Sequence, residues 1–496
     1  MEMAFQKTQL PCMIGAVREI QNSEQTQELR LPDGMPDVGK VLCAWGQVIL
    51  RGKEWRSDSI LVSGGMLMWV LYQPEDGSEP RTLDGWLPFQ MRWQLPEGCP
   101  EGRIRVSALT RFADARSVSP RKLMLRAGIG VLAEAWAPHK LELCTPTDLP
   151  EGVELLRRRY PVRLPQEAGE KVFSMEEELN PGVRPKQMLY YTLRPEIQEQ
   201  KVLSNKIAFR GNAGLHAVWL CEDGTVMSQD FAMPFSQFAE LDNAGSSDAQ
   251  VDVACCVTNL EVETEDAGTL RVKCSIAAQY LCDDVTTLET VEDAYAPGRA
   301  LRVEQQMLEV PAILEKKTET VFGEASAAME GMQASDVSFL PDFPRQYHEN
   351  GGLTLEIPGT VQVLSSGEDG KLTSASARWE GKLDWKAGEN TVLTAVPMTP
   401  PMPQAMTNGS NLTVRAELPL QMVTTGGQGI PMVTELELGA DTEPDPARPS
   451  LILRRAGTDS LWEIAKKSGS TVAAIRSANH LQEEPRPGQM LLIPVC

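Results

Sequence analysis

A chain of 496 residues is too long to close around one hydrophobic core, and the usual size of domains divides it into roughly three to four units. Its composition, 42% hydrophobic and 23% charged, is sufficient for folding. A formal net charge of −21 excludes general affinity for nucleic acid or anionic membrane, because both demand clustered Lys and Arg.

The opening residues, Met1-Glu2-Met3-Ala4-Phe5-Gln6-Lys7, lack the basic run, apolar core and small-residue cleavage site of a signal peptide. No stretch approaches the ~20 apolar residues of a membrane span, so no transmembrane segment is expected. The ten cysteines are scattered with no Cys-x-x-Cys, and the adjacent pair Cys255-Cys256 reads as two half-buried thiols on opposite faces of a strand. This pattern points to a reducing, intracellular compartment.

After an apolar lead, Leu31-Pro32-Asp33-Gly34-Met35-Pro36-Asp37 cannot be helix interior. Lys40-Val41-Leu42 and Gln47-Val48-Ile49-Leu50 read as short strands. The stretch from Ile60 to Gly77 reads as a two-stranded hairpin bent or bulged at Gly64-Gly65. Strands around Arg103 to Phe112 and Lys122 to Trp136 complete a β-unit, and Pro146, Pro150 and Arg157-Arg158-Arg159 mark a joining segment.

The Ile60 stretch then returns. Gly64, an aromatic residue and Glu75-Asp76-Gly77 recur at the same offsets from Ile207 as Gly211, Trp219 and Glu222-Asp223-Gly224; Pro88-Phe89 recurs as Pro234-Phe235. A weaker copy begins at Leu353, ends in Glu368-Asp369-Gly370 and lacks the early glycine. Alternating strands are expected at Val251 to Val257, Leu270 to Tyr280, Leu412 to Leu418 and Val433 to Leu438, and the proline-dense Pro397 to Pro403 fits a loop. A period near ~140 residues is far longer than that of a solenoid. The fold class is therefore mainly β, tandem β-sandwich-like domains followed by a small β-α-α-β module. The expected limits are domain 1 at 1–145, a connector at 146–182, domain 2 at 183–290, degenerate domain 3 at 291–440, a linker at 441–449 and the module at 450–496.

The linker is acidic and proline-rich. Beyond it the composition changes: residues 450–496 carry six Lys and Arg against four Asp and Glu, a net +2, which leaves −23 for the rest. Leu451-Ile452-Leu453-Arg454 reads as a strand, and Ser460-Leu461-Trp462-Glu463 as a capping box opening a helix whose apolar face is Leu461, Ile464 and Ala465. Gly469 ends that helix, Ser470 or Thr471 caps a second one reaching Asn479, and Pro487-Gly488-Gln489 turns into the strand Met490-Leu491-Leu492-Ile493. The loops beside the helices, Gly457, Thr458, Asp459 and Ser460 with Asn479, His480 and Leu481, offer backbone donors and short polar groups and are the candidate binding site. Trp462 joins them, although its place beside Leu461 and Ile464 favours packing on the module itself.

This segment resembles the LysM module, through Gly457, Asp459-Ser460, Leu461-Trp462-Glu463-Ile464-Ala465, Asn479 and Pro487-Gly488-Gln489-Met490-Leu491-Leu492-Ile493-Pro494. It departs from the family in opening with Leu451-Ile452-Leu453 and in placing Thr458 between the glycine and the acidic residue. Both departures touch the loop that in the family helps to form a groove for N-acetylglucosamine polymers. The Pro-Asp segment, the repeated glycine and aromatic residue, and Asp293-Ala294-Tyr295 resemble the SPOCS domain of spore-coat proteins. SPOCS copies followed by LysM are similar to the architecture of the SipL-like spore coat morphogenesis proteins, and more distantly of SpoVID.

The resemblance implies a mother-cell, cytoplasmic protein at the forespore surface, a non-enzymatic scaffold attaching coat proteins, with a coat basement ATPase of the SpoIVA type as partner. The alternative is a protein that binds peptidoglycan through LysM; a wall hydrolase ranks third. Neither cofactor nor metal is implied. The four histidines, His139, His216, His348 and His480, are spread along the chain, and no Gly-x-Ser-x-Gly, His-Glu-x-x-His or P-loop is present. His216 reads as structural, Glu176-Glu177-Glu178 as a solvated charge run, and Gly426-Gly427-Gln428-Gly429 as a hairpin loop.

Overall fold

Glycine, proline and turn residues divide the chain into segments of alternating apolar and polar residues, and these form strands. The computed structural model describes residues 2–266, 268–328, 333–349, 352–367, 371–386, 388, 390–408, 411–441 and 449–495. The first repeat comprises β1 (Phe5–Arg30), β2 (Val38–Trp55), β3 (Ser59–Pro74), β4 (Arg81–Gln94), β5 (Arg103–Ser119) and β6 (Lys122–Pro146). The second comprises β7 (Glu154–Leu179), β8 (Gln187–Leu203), β9 (Lys206–Leu220), β10 (Val226–Glu240), β11 (Gln250–Thr264) and β12 (Leu270–Tyr295). The third comprises β13 (Arg299–Ala328), β14 (Gln333–Pro341), β15 (Arg345–Glu349), β16 (Gly352–Ser366), β17 (Leu372–Trp385), β18 (Thr391–Pro397), β19 (Gln404–Asn408) and β20 (Asn411–Asp441). The last segment holds β21 (Leu451–Arg455), α1 (Leu461–Ser468), α2 (Val472–Asn479) and β22 (Met490–Pro494).

One strand order occurs three times. The first repeat makes the antiparallel sheets β1-β6-β5 and β2-β3-β4, and the second makes β7-β12-β11 and β8-β9-β10. In the third, β13-β20 is flanked by β18 and β19 in place of one strand, and β16 is flanked by β17 on one side and by β14 and β15 on the other. Each pair of sheets closes on its own apolar core: Ile60, Val62, Leu87, Leu123 and Ile129 in the first, Ile207, Phe209, Leu215, Val272 and Ile276 in the second, Leu355, Val361, Trp379, Val414 and Leu418 in the third.

The structure corrects four sequence expectations. Residues 154–179, placed in the connector 146–182, are β7, paired along its length with β12; Arg158 and Arg159 meet Glu292 and Glu289 at 2.9 and 3.0 Å. Ile60 to Pro74 is one central strand and not two, and its hairpin partner is β4; the bulges lie in β2, at Val38/Lys40, Val41/Cys43 and Leu50/Gly52. Gly426 to Gly429 is strand, inside β20 and opposite Ala312 to Glu309. The third copy does possess its glycine, displaced to Gly359. The loop at Pro397 to Pro403 is found between β18 and β19. Two sequence features, Glu368-Asp369-Gly370 and 442–448 of the linker, lie outside the described residues.

The glycine and the Pro-Phe pair recur because they face each other across strands. Gly64 pairs with Phe89, Gly211 with Phe235 and Gly359 with Trp379. A Cβ on Gly211 would lie 2.9 Å from the Phe235 ring and 1.9 Å from the Glu196 carbonyl oxygen, so the aromatic ring fills the space that the glycine leaves.

The long ribbons β1-β6, β7-β12 and β13-β20 extend beyond the sandwiches and pack on one another. Pro11, Pro161 and Pro311, spaced by 150 residues, occupy the outer strand of each ribbon, where a missing N–H is tolerated. Their neighbours Cys12, Val162, Val310 and Ala312 share a core with Leu141, Leu288 and Ile430. The ends of the central strands meet as well, with Leu71, Leu220 and Leu364 in another shared cluster. Polar bridges join each pair of repeats: Lys53 to Glu170 at 2.6 Å, Arg111 to Asp342 at 2.7 Å and Lys316 to Asp283. No helix among the described residues is long and apolar enough to cross a membrane.

Candidate functional site

Residues 450–495 fold as their local signals dictate. β21 pairs antiparallel with β22, Leu451 opposite Pro494. Ser460 caps α1: its hydroxyl accepts from Glu463 N at 3.3 Å, while the Glu463 carboxylate accepts from Ser460 N at 2.8 Å. Gly469 ends the helix at φ 61°, and Lys466 and Lys467 lie in its last turn, favourable to the helix dipole. Of the two cap candidates for α2, Thr471 serves, its hydroxyl accepting from Ala474 N at 3.0 Å. Leu461, Ile464, Ala465, Ile475, Leu491 and Ile493 form the small core.

Glu484, from the segment after α2, accepts from Leu461 N at 3.0 Å and so ties the loop before β22 to the start of α1. Gly457, Thr458, Ser460 and His480 are exposed; Asp459, Asn479 and Leu481 are half-buried. Slight burial favours the neutral form of Asp459, but Lys467 at 3.4 Å and Arg454 outweigh it and hold the carboxyl below its usual range. Asn479 is fully engaged: its amide donates to the carbonyls of Ile475 and Leu492 at 2.8 and 2.6 Å and accepts from Leu492 N at 2.7 Å. Those bonds lock α2 onto β22, which is a structural task.

Trp462 does not project into these loops. Its indole Nε1 donates to Asp293 Oδ2 at 2.9 Å, and its ring meets Tyr295 edge-on at 4.7 Å. Lys466, one turn on, reaches both oxygens of Asp293 at 2.7 Å. Asp293, Tyr295, Lys466 and Glu484 were not among the site residues read from the sequence. The Asp293-Ala294-Tyr295 motif stood out there, but nothing local announces a contact with a residue 169 positions away.

Residues 458–494 match the LysM domain, and residues 185–265 match the SipL SPOCS domain. No curated protein and no solved structure shows significant similarity to the chain. The SPOCS match runs from just before β8 to just after β11, and the flanking β7 and β12 supply the remaining strands of that repeat's two sheets. The LysM match covers both helices, the loops on either side and β22. Both are binding-type domains, not catalytic ones, and together they fit a sporulation protein with a peptidoglycan-binding module.

Elsewhere, His216 is paired on both ring nitrogens, and the cysteines among the described residues are buried or half-buried. His216, 3% exposed, has Asp230 at 2.9 Å on Nδ1 and Asp336 at 3.0 Å on Nε2, so neither ring nitrogen faces a nucleophile. Burial disfavours its charge, but hydrogen bonds to Asp230 and Asp336 prevail and raise its pKa to about 9. Desolvation pushes the thiols of Cys43, Cys255 and Cys282 to about 12 and those of Cys12, Cys256 and Cys274 to about 11, far from the thiolate that a nucleophile requires. Glu176 and Glu178 lie across the ribbon from Arg271 at 3.9 and 3.7 Å, as a solvated charge run should. Among the described residues no His, Cys, Asp and Glu group is arranged to hold a metal.

Proposed function

We propose that this protein is a non-enzymatic scaffold of spore coat assembly. Its three β-repeats provide the assembly surface, and the LysM module attaches that surface to a partner at the forespore, in the mother-cell cytoplasm. The observation that carries the reading is the coexistence of a SPOCS domain at 185–265 and a LysM domain at 458–494 in one chain. The first and third repeats, which share the strand order of the second, act as further SPOCS-type units. A coat basement ATPase of the SpoIVA type is the expected protein partner. Deleting the gene should leave coat material detached from the forespore surface in sporulating cells viewed by electron microscopy. Normal coat placement in the deletion strain would sink the proposal.

A second reading, binding of peptidoglycan or another N-acetylglucosamine polymer, is favoured by the exposure of Gly457, Thr458, Ser460 and His480 on the loops beside the helices. Sedimentation of the full chain with purified wall tests it. Retention lost on substituting Thr458 and His480 together supports glycan binding, and a protein that stays in the supernatant from the outset refutes it. Asn479 is unsuited to this test because its substitution would disturb the module's fold.

A further inference from the structure

We propose that the outer face of α1 is a protein-binding face for a carboxylate set beside an aromatic ring, and that its resting occupant is this chain's own Asp293-Ala294-Tyr295. The LysM module is thereby latched onto the second repeat.

Three kinds of contact converge there. The Asp293 carboxylate receives the Trp462 indole N–H and the Lys466 ammonium, and its Oδ1 also accepts from Ala294 N at 2.9 Å, which fixes its rotamer. Trp462 stands edge-on to Tyr295 with an interplanar angle of 69°, the arrangement that ring quadrupoles favour. Tyr295 itself is 6% exposed and belongs to the same apolar cluster as Leu461, Ile464 and Ile493, so the body contributes a side chain to the module's core.

The body is shaped for this contact. A bulge between Val291 and Asp293 interrupts the pairing of β12 with β7 just before the motif, and a bulge re-aims the side chains that follow it. Charge works in the same direction, since a module of net +2 faces a body of net −23. Lys466 and Trp462 form an i, i+4 pair on one helix face, and this pair recognises an ionised acid together with an aromatic side chain. A neutral glycan offers neither. A partner that engages this face must displace Asp293, whereas a ligand of the loops at 457–460 and 479–481 need not.

Hydroxyl-radical footprinting of the full-length protein, read by mass spectrometry at Trp462, tests the latch. Trp93, Trp219 and Trp379, at most 1% exposed, are internal references for an intact body. Asp293→Ala should raise the oxidation rate of Trp462 at least threefold and leave the references unchanged. Lys466→Glu, which sets like charges together at an exposed helix position, should do the same without touching the body. Equal Trp462 oxidation in the wild type and in Lys466→Glu overturns the proposal, whatever Asp293→Ala does to folding. Neither wall nor coat binding is read, so a negative result would leave the proposed function standing.

Discussion

His216 shows what a single buried residue can contribute at this size. Its ring lies between Asp230 on β10 and Asp336 on β14, and Asp336 also accepts from the Tyr190 hydroxyl on β8 at 2.5 Å, so one imidazolium joins the second and third repeats. A folded pKa of about 9 against 6.5 for the free side chain means that the charged form stabilises the fold. The contribution, on the order of 3 kcal/mol, is fully present below pH 6.5 and disappears as pH rises through 9. Thermal unfolding should therefore fall in midpoint across that window, and His216→Gln should flatten the dependence; an unchanged slope in the variant would assign it to other groups. Asn479 makes a second prediction at the same scale. Asn479→Ala strips the partner from Leu492 N and should cost the module about 1–3 kcal/mol, seen as faster hydrogen exchange in α2 and β22 but not in β9.

At the scale of elements, the sequence revealed whatever is decided locally. The capping box at Ser460, the left-handed end at Gly469 and the acid-glycine turns are local; Asp76 and Asp223 each accept from the backbone N–H two residues on, at 2.9 Å, and Gly77 and Gly224 take positive φ. What misled was charge and proline. β7 contains Pro161, Pro165, Arg157-Arg158-Arg159 and Glu176-Glu177-Glu178, the composition of a connector, yet it is an outer strand whose complementary charges come from β12, far along the chain. The repeated glycine was legible as a pattern, but its cause was visible only once Phe89, Phe235 and Trp379 stood opposite. Filling that space should be costly: Gly211→Ala forces Cβ into the Glu196 carbonyl and the Phe235 ring, and the expected loss is about 1–3 kcal/mol in denaturant unfolding. A control at Gly214, whose nearest neighbour to a new Cβ is at 3.5 Å, should cost less.

Three tandem domains and three repeats around common cores make different predictions for the whole molecule, and the buried Arg105 distinguishes them. Arg105 belongs to β5 and pairs at 2.6 Å with Asp252 of β11, which in turn accepts from the Gln421 amide of β20, so one carboxylate touches all three repeats. Burial opposes charge on both partners, and their mutual attraction prevails, holding the Asp252 carboxyl low and the guanidinium high. Removing the carboxylate leaves Arg105 with Glu134 at 3.7 Å as its remaining counter-charge, in a site where its side chain is 9% exposed. Breaking one half of such a pair costs about 3–5 kcal/mol. If the repeats unfold as one unit through their shared cores, Asp252→Ala should accelerate hydrogen exchange in β3, β9 and β16 by the same free energy, through a single global opening. If they unfold separately, β9 alone should respond strongly, and the shared clusters at Leu141, Leu288 and Ile430 would be contact surfaces between autonomous domains. The size of those clusters and the three-way placement of Asp252 favour the first outcome.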